Sequence, residues 1–232
     1  MQATETEEKA CCRPADCRLV MLLESSIGKK IMVALAGLFL SFFLLVHLAG
    51  NLFMFSGAGA FNHYASALAH NELLPVAEIG LVVLFLVHIA LATRAWFINR
   101  AARPVGYQVY AGKGGRTAGS RSMAVTGALV LVFLLVHLKT FRFAPAAVRE
   151  ADLFALVVRR FRSPWYSAFY VLALGGLGLH LSHGVQSAFQ TLGLNHPRYT
   201  PLIKKLGLAF AVLIALGFMS MPIYFGFLGG AK

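Results

Sequence analysis

Five blocks of apolar residues, each long enough to cross a lipid bilayer, constrain this chain more than any other feature of it. They run from about Lys30 to Phe55, Leu73 to Ile98, Met123 to Thr140, Trp165 to Gln190 and Lys204 to Phe227. A helix needs roughly 20 residues to cross the hydrocarbon core. No water is available there, so each segment must satisfy its own backbone, which leaves helices or closed barrels. Barrel strands would alternate apolar and polar residues over about ten positions, and the blocks show no such alternation. The expected fold class is therefore all-α, an integral membrane bundle of five transmembrane helices. Composition agrees: 58% of residues are hydrophobic and 13% charged, too little polar surface for a water-soluble domain.

The polar remainder divides the chain into residues 1–28, read as a cytoplasmic N-terminal arm, and residues 29–232, read as the membrane domain. Glu5, Glu7 and Glu8 argue against a signal-peptide n-region, and the first apolar block is too long for an h-region. The net charge of +12 comes from Lys and Arg gathered between the blocks, which is a topology signal. RNP-type motifs, zinc-finger spacing and basic helices with interleaved aromatics are missing, so no nucleic-acid partner is expected. The arm with the second and fourth connections carries 14 of the 21 Lys and Arg, against 7 on the other side. By the positive-inside rule the N-terminus is cytoplasmic. Cys11, Cys12 and Cys17 all lie in the arm and lack both CxxC spacing and a fourth ligand. They read as reduced thiols on a cytoplasmic tail.

The chemistry lies in the histidines. Of eight, His63, His70 and His196 fall in connections and read as solvated. His47, His88, His137, His180 and His183 fall inside spans, where ionisable groups are costly and mark function. A helix rises about 1.5 Å per residue, which puts His47 about 25 Å beyond Lys30 and His137 about 24 Å beyond Arg121, both on the outer side. His88 lies about 18 Å from Arg100 at the opposite end, and His180 falls in the same inner half. The histidines thus sort into an outer layer, His47 with His137, and an inner layer, His88 with His180. A pseudo-repeat supports this: Phe42–Leu48 closely matches Val132–Leu138, and Gly37 and Gly127 each stand ten residues before the histidine.

Two imidazoles facing each other across a bundle suit six-coordinate haem iron, with the apolar porphyrin carried between helices. CxxCH is absent, so the haems would be held non-covalently, as b-type. His47 and His137 would ligate the outer iron, His88 and His180 the inner one. Gly175, Gly176, Gly178 and Gly184 around His180, and Gly50 after His47, suit close approach of a ring or a neighbouring helix. His183 reads as a packing residue or a partner for a haem propionate, and Lys30 and Arg94 as basic partners on the inner side. Glu72 and Glu78, near the outer end of the second span, are candidates for a quinone and proton site. HExxH and GxSxG are absent, against zinc peptidase and serine hydrolase chemistry. A transporter whose histidines line a proton path stays open as an alternative, and it predicts no haem.

The run Ser25-Ser26-Ile27-Gly28-Lys29-Lys30, then Gly37, then His47 with Gly50-Asn51, resembles the start of the single-subunit, two-haem cytochrome b anchors of succinate dehydrogenase and fumarate reductase. His180-Leu181-Ser182-His183-Gly184 resembles the fourth-helix motif of that family. The likeness covers nearly the whole chain from Ser25 onward and lies in arrangement more than in any single motif. It implies a bacterial cytoplasmic membrane, two haems b, and a flavoprotein and an iron–sulfur subunit on the cytoplasmic face. Electrons would pass between the iron–sulfur subunit and a membrane quinone, menaquinone in this class, with the dicarboxylate site on a partner subunit. Some relatives carry a glutamate two residues before the fourth-helix ligand. Here that position is Gly178, so a proton route through it is not implied. The haem anchors of hydrogenases and formate dehydrogenases share bis-histidine haems and remain an alternative.

Overall fold

The computed structural model describes residues 25–102 and 118–230. Cys11, Cys12 and Cys17, the basic residues Arg103, Lys113 and Arg116, and Lys232 lie outside the described residues. Among those described there are eight α-helices and no strand. The helices are α1 (Ser26–Asn51), α2 (Ala58–Ala69), α3 (Leu74–Ala101), α4 (Ala118–His137), α5 (Ala146–Ala151), α6 (Leu153–Phe161), α7 (Pro164–Thr191) and α8 (Thr200–Met221). Five of them, α1, α3, α4, α7 and α8, are long and apolar enough to cross a membrane. The expected all-α, five-span architecture is thus what the chain forms. Two spans run on past their α-helical part as π turns, Leu138–Arg142 after α4 and Pro222–Phe227 after α8.

Local signals set the helix starts. The Ser25 hydroxyl accepts from Gly28 N–H at 2.9 Å and caps α1, a favoured N-cap arrangement. Proline stands in the first turn of α3, α7 and α8, where its missing N–H costs nothing. Hydroxyls inside the apolar spans bond back to the preceding turn: Ser41 to Gly37 O at 2.8 Å, Thr126 to Ser122 O at 2.9 Å and Thr140 to Val136 O at 2.8 Å. That satisfies them without water.

Helix α7 is the centre of the bundle. It packs on α4, α8 and α1, while α3 packs chiefly on α1. Its buried residues, from Ser167 and Tyr170 through Leu174, Leu177 and Leu181, recur at helical spacing, whereas α3 buries none. Contacts between apolar helices in a membrane depend on close packing more than on the hydrophobic effect, which favours small residues. A Cβ on Gly178 would stand 2.9 Å from Ala215 Cβ, and one on Gly217 2.6 Å from Leu48 Cδ2.

The end of the bundle opposite the start of α1 is closed by short helices that the apolar pattern did not foretell. Asn62 of α2 donates to Asp152 Oδ1 at 2.9 Å and accepts from Phe154 N–H at 3.0 Å. Asp152 also caps α6 by accepting from Ala155 N–H at 2.9 Å. These bonds seat α6 so that Leu156, Val158 and Phe161 are buried, the last two in one cluster with Phe61, Tyr170, Phe218 and Phe225.

Candidate functional site

The histidines of the spans meet in twos. The rings of His47 on α1 and His137 on α4 have centroids 5.9 Å apart, and those of His88 on α3 and His180 on α7 are 6.4 Å apart. These are the pairs expected from depth. Each pair joins two helices that do not pack extensively on one another, so the imidazoles bridge the diagonals of the bundle.

The level of each pair follows from the helix rise. Gly37 stands ten residues before His47, and a Cβ on it would lie 3.3 Å from His88 Cε1. Gly127 stands ten before His137, and its Cβ would lie 3.5 Å from His180 Cε1. Ten residues rise about 15 Å, so that is the separation of the levels. On α1 and α4 alike, one level receives a histidine and the other a glycine that leaves room for the opposing ring. The antiparallel helices α3 and α7 show the same offset: Glu78 stands ten residues before His88, and Tyr170 ten before His180.

Each ring has a second partner. Tyr170 OH lies 3.2 Å from His137 Nδ1, Val33 O 3.4 Å from His88 Nδ1, and Thr126 Oγ1 3.4 Å from His180 Nδ1. In all three the partner meets Nδ1. The Asn51 amide lies 3.3 Å from His47 Nδ1 and 3.4 Å from its Nε2. His47 also stacks on Phe43 and is met by Phe218 of α8, with centroids at 5.2 and 5.5 Å.

The arrangement can be tested against haem iron. A metal–imidazole nitrogen bond is about 2 Å long and the ring centre lies about 1 Å behind the nitrogen, so two imidazoles sharing one metal have centroids about 6 Å apart. Both pairs fit that spacing. Ligating histidines donate their other ring N–H to a second group, which fixes the tautomer. The oxygens at Nδ1 of His88, His137 and His180 supply such acceptors and leave Nε2 for a metal. Among the described residues no three His, Cys, Asp or Glu gather as a metal cluster. Haem iron asks the protein for only two ligands.

His183 follows His180 by one turn, and its Nδ1 is buried without a hydrogen-bond partner among the described residues. It packs against the start of α4, where a Cβ on Gly119 would come within 3.0 Å of His183 Cβ. Lys30 and Arg94 are exposed, at the end of the bundle where α1 begins. Glu72 is exposed in the turn before α3 and is not brought to a histidine. Glu78 is held by Arg142, whose Nε and Nη2 donate to Oε1 and Oε2 at 2.7 Å each. Gly176 accommodates Leu129 of α4, Gly178 accommodates Ala215 of α8, and Gly50 accommodates the Tyr64 ring, while Gly184 faces open space. Gly50, Gly176 and Gly178 thus serve helix packing. His63, His70 and His196 are exposed.

Sequence reasoning missed Tyr170, Thr126 and Arg142, and it named Asn51 only within the first-span motif, without a role. For Tyr170 a signal existed: the ten-residue offset already visible in Gly37 and Gly127 reaches it from His180. Arg142 gave no signal. It is the last residue of the π turn Leu138–Arg142, in which Phe143 N–H reaches Leu138 O, and that i to i+5 winding turns it away from where an α-helix would place it. Set against known proteins, the chain matches no family model, no curated protein and no solved structure.

Proposed function

We propose that the chain is the membrane-anchor, electron-transfer subunit of a succinate:quinone oxidoreductase of the succinate dehydrogenase/fumarate reductase type, in a bacterial cytoplasmic membrane with its N-terminus cytoplasmic. The observation that carries this reading is the pair of imidazole couples, 5.9 and 6.4 Å between centroids, at two levels of a five-span bundle. Two haems b held there would supply one-electron chemistry between a cytoplasmic iron–sulfur subunit, itself joined to a flavoprotein bearing the dicarboxylate site, and a membrane quinone, menaquinone in this class.

The chain's own residues divide the work. His88 and His180 hold the inner level, and His47 and His137 the outer one. Tyr170, Thr126 and the Val33 carbonyl orient the rings through Nδ1. Gly37 and Gly127 keep the inner level open. Lys30, Arg94 and His183 stand at the inner end as partners for propionate charge. Glu78 belongs to the outer, quinone side. Its carboxylate is engaged by Arg142, so taking up a proton there requires it to part from the guanidinium. Glu72 stands in the turn just outside.

A reduced-minus-oxidised absorption spectrum of the purified chain, with a haem-to-protein ratio, is the direct test. Two haems b per chain are expected, with a flavin-bearing partner on co-purification. A colourless folded protein refutes the reading in favour of a proton-conducting transporter. A molybdenum or nickel partner would instead make it the anchor of a formate dehydrogenase or hydrogenase.

A further inference from the structure

The two levels differ in what stands behind their imidazoles. At the inner level the partners are a backbone carbonyl and a threonine hydroxyl, each at 3.4 Å. At the outer level Tyr170 OH approaches His137 Nδ1 to 3.2 Å, and the Tyr166 and Tyr170 hydroxyls are hydrogen-bonded at 2.8 Å. Tyr170 is buried, 4% exposed, in a box of aromatic rings. Phe133, Phe161 and Tyr166 lie at centroid distances of 4.9, 5.2 and 4.7 Å, and Phe169 and Phe141 at 6.1 and 6.4 Å. A phenol oxygen costs free energy in such a setting unless it is hydrogen-bonded. Tyr166, whose ring is half-buried in the first turn of α7, donates its O–H to the Tyr170 oxygen. The second lone pair of that oxygen is placed to accept His137 Nδ1–H. Such chains polarise one another in a low-dielectric interior.

We infer that Tyr170 is a positioning residue for His137 and lowers the reduction potential of the outer haem alone. This rests on the haem reading above. The physical reason is one of charge. An acceptor on Nδ1–H makes the imidazole a stronger electron donor to its metal. A stronger donor favours the more positive, oxidised iron, so the potential falls. The more distant partners behind His88 and His180, at 3.4 Å, do this less, and the outer level is thereby set apart from the inner.

The experiment is a redox titration of the haem absorption bands in the detergent-purified chain, comparing wild type with Tyr170→Phe, which keeps the aromatic box and removes only the oxygen. His47→Ala, which lacks the outer haem, tells which midpoint belongs to which level. The outer midpoint should rise, the inner one should stay, and two haems should remain bound. An unmoved outer midpoint, a fall, or equal movement of both overturns the inference. Should Tyr170→Phe lose haem, Tyr166→Phe decides: it removes the competing donor on the Tyr170 oxygen, so a fall of the outer midpoint upholds the inference and no change or a rise overturns it. A wild-type protein without haem removes the function proposed above as well, and is seen before any variant is made.

Discussion

Gly37 of α1 faces the imidazole of His88 on α3 so closely that a Cβ on it would lie 3.3 Å from the ring carbon Cε1. Gly127 of α4 stands to His180 in the same way, at 3.5 Å. A methyl group at Gly37 asks the ring to give by only a few tenths of an ångström and one at Gly127 makes an ordinary contact, but a larger side chain at either place occupies the space of the ring itself. Overpacking of this kind typically costs about 1–3 kcal/mol and moves its neighbours. Gly37→Leu and Gly127→Leu should therefore each lower the haem-to-protein ratio from two to one, with the outer haem retained. Two haems in both variants would show that these glycines do not shape the inner level.

The pairing of the histidines makes a separable prediction. His47→Ala or His137→Ala should remove the outer haem and leave the inner, and His88→Ala or His180→Ala should do the reverse. His183→Ala should keep both. Haem lost with His183 and kept without His180 would mean that the α7 ligand was misassigned.

Glu78 and Arg142 tie α3 to the end of α4 through two bonds of 2.7 Å, with side chains 35% and 46% exposed. Exposed ion pairs contribute about 0.2–1 kcal/mol, and two-bonded Arg–carboxylate geometry lies at the upper end of such pairs. Thermal unfolding in detergent of Glu78→Gln, Arg142→Gln and the double variant should give a coupling of that size by double-mutant cycle. Strict additivity would mean that the pair does not brace the helices.

Asp152 sits outside the spans. The Ala155 N–H, the Asn62 amide and the Phe154 N–H hold its carboxylate below the usual range, against a small opposing effect of burial. A depressed folded pKa contributes stability that is present above the unfolded value, near 4, and is lost as pH falls through the folded value. Below pH 4 the wild type should lose stability faster than Asp152→Asn, which keeps an oxygen acceptor but no titrating proton. Asp152→Ala should cost about 1 kcal/mol at neutral pH by loss of the cap. Equal acid sensitivity of wild type and Asp152→Asn would rule out the carboxylate as the source.

Much of the arrangement was legible before any coordinates. Lys30, Arg100 and Arg121 mark where spans end, and counting residues from them, and from Pro164 and Gln190 for His180, sorted His47, His88, His137 and His180 into levels, because a helix converts sequence distance into height at a fixed rate. The glycines around His180 were legible as small but not as to purpose. Gly176 and Gly178 admit Leu129 and Ala215, and only the neighbouring helices could show that. The capping helices α2, α5 and α6 were not legible, since they are too short to give an apolar block and are held by Asn62 and Asp152 across 90 residues of chain.

The sequence by itself determined the number of spans, their α-helical nature and the height of each histidine, since all three are one-dimensional: apolar length, backbone self-satisfaction and axial rise. Rotation about each helix axis is not one-dimensional. It is decided by which side chains interlock with which neighbours, and so the tertiary structure alone settled that Tyr170 backs His137, that Arg142 claims Glu78, and that glycines of α1 and α4 make room for the rings of α3 and α7.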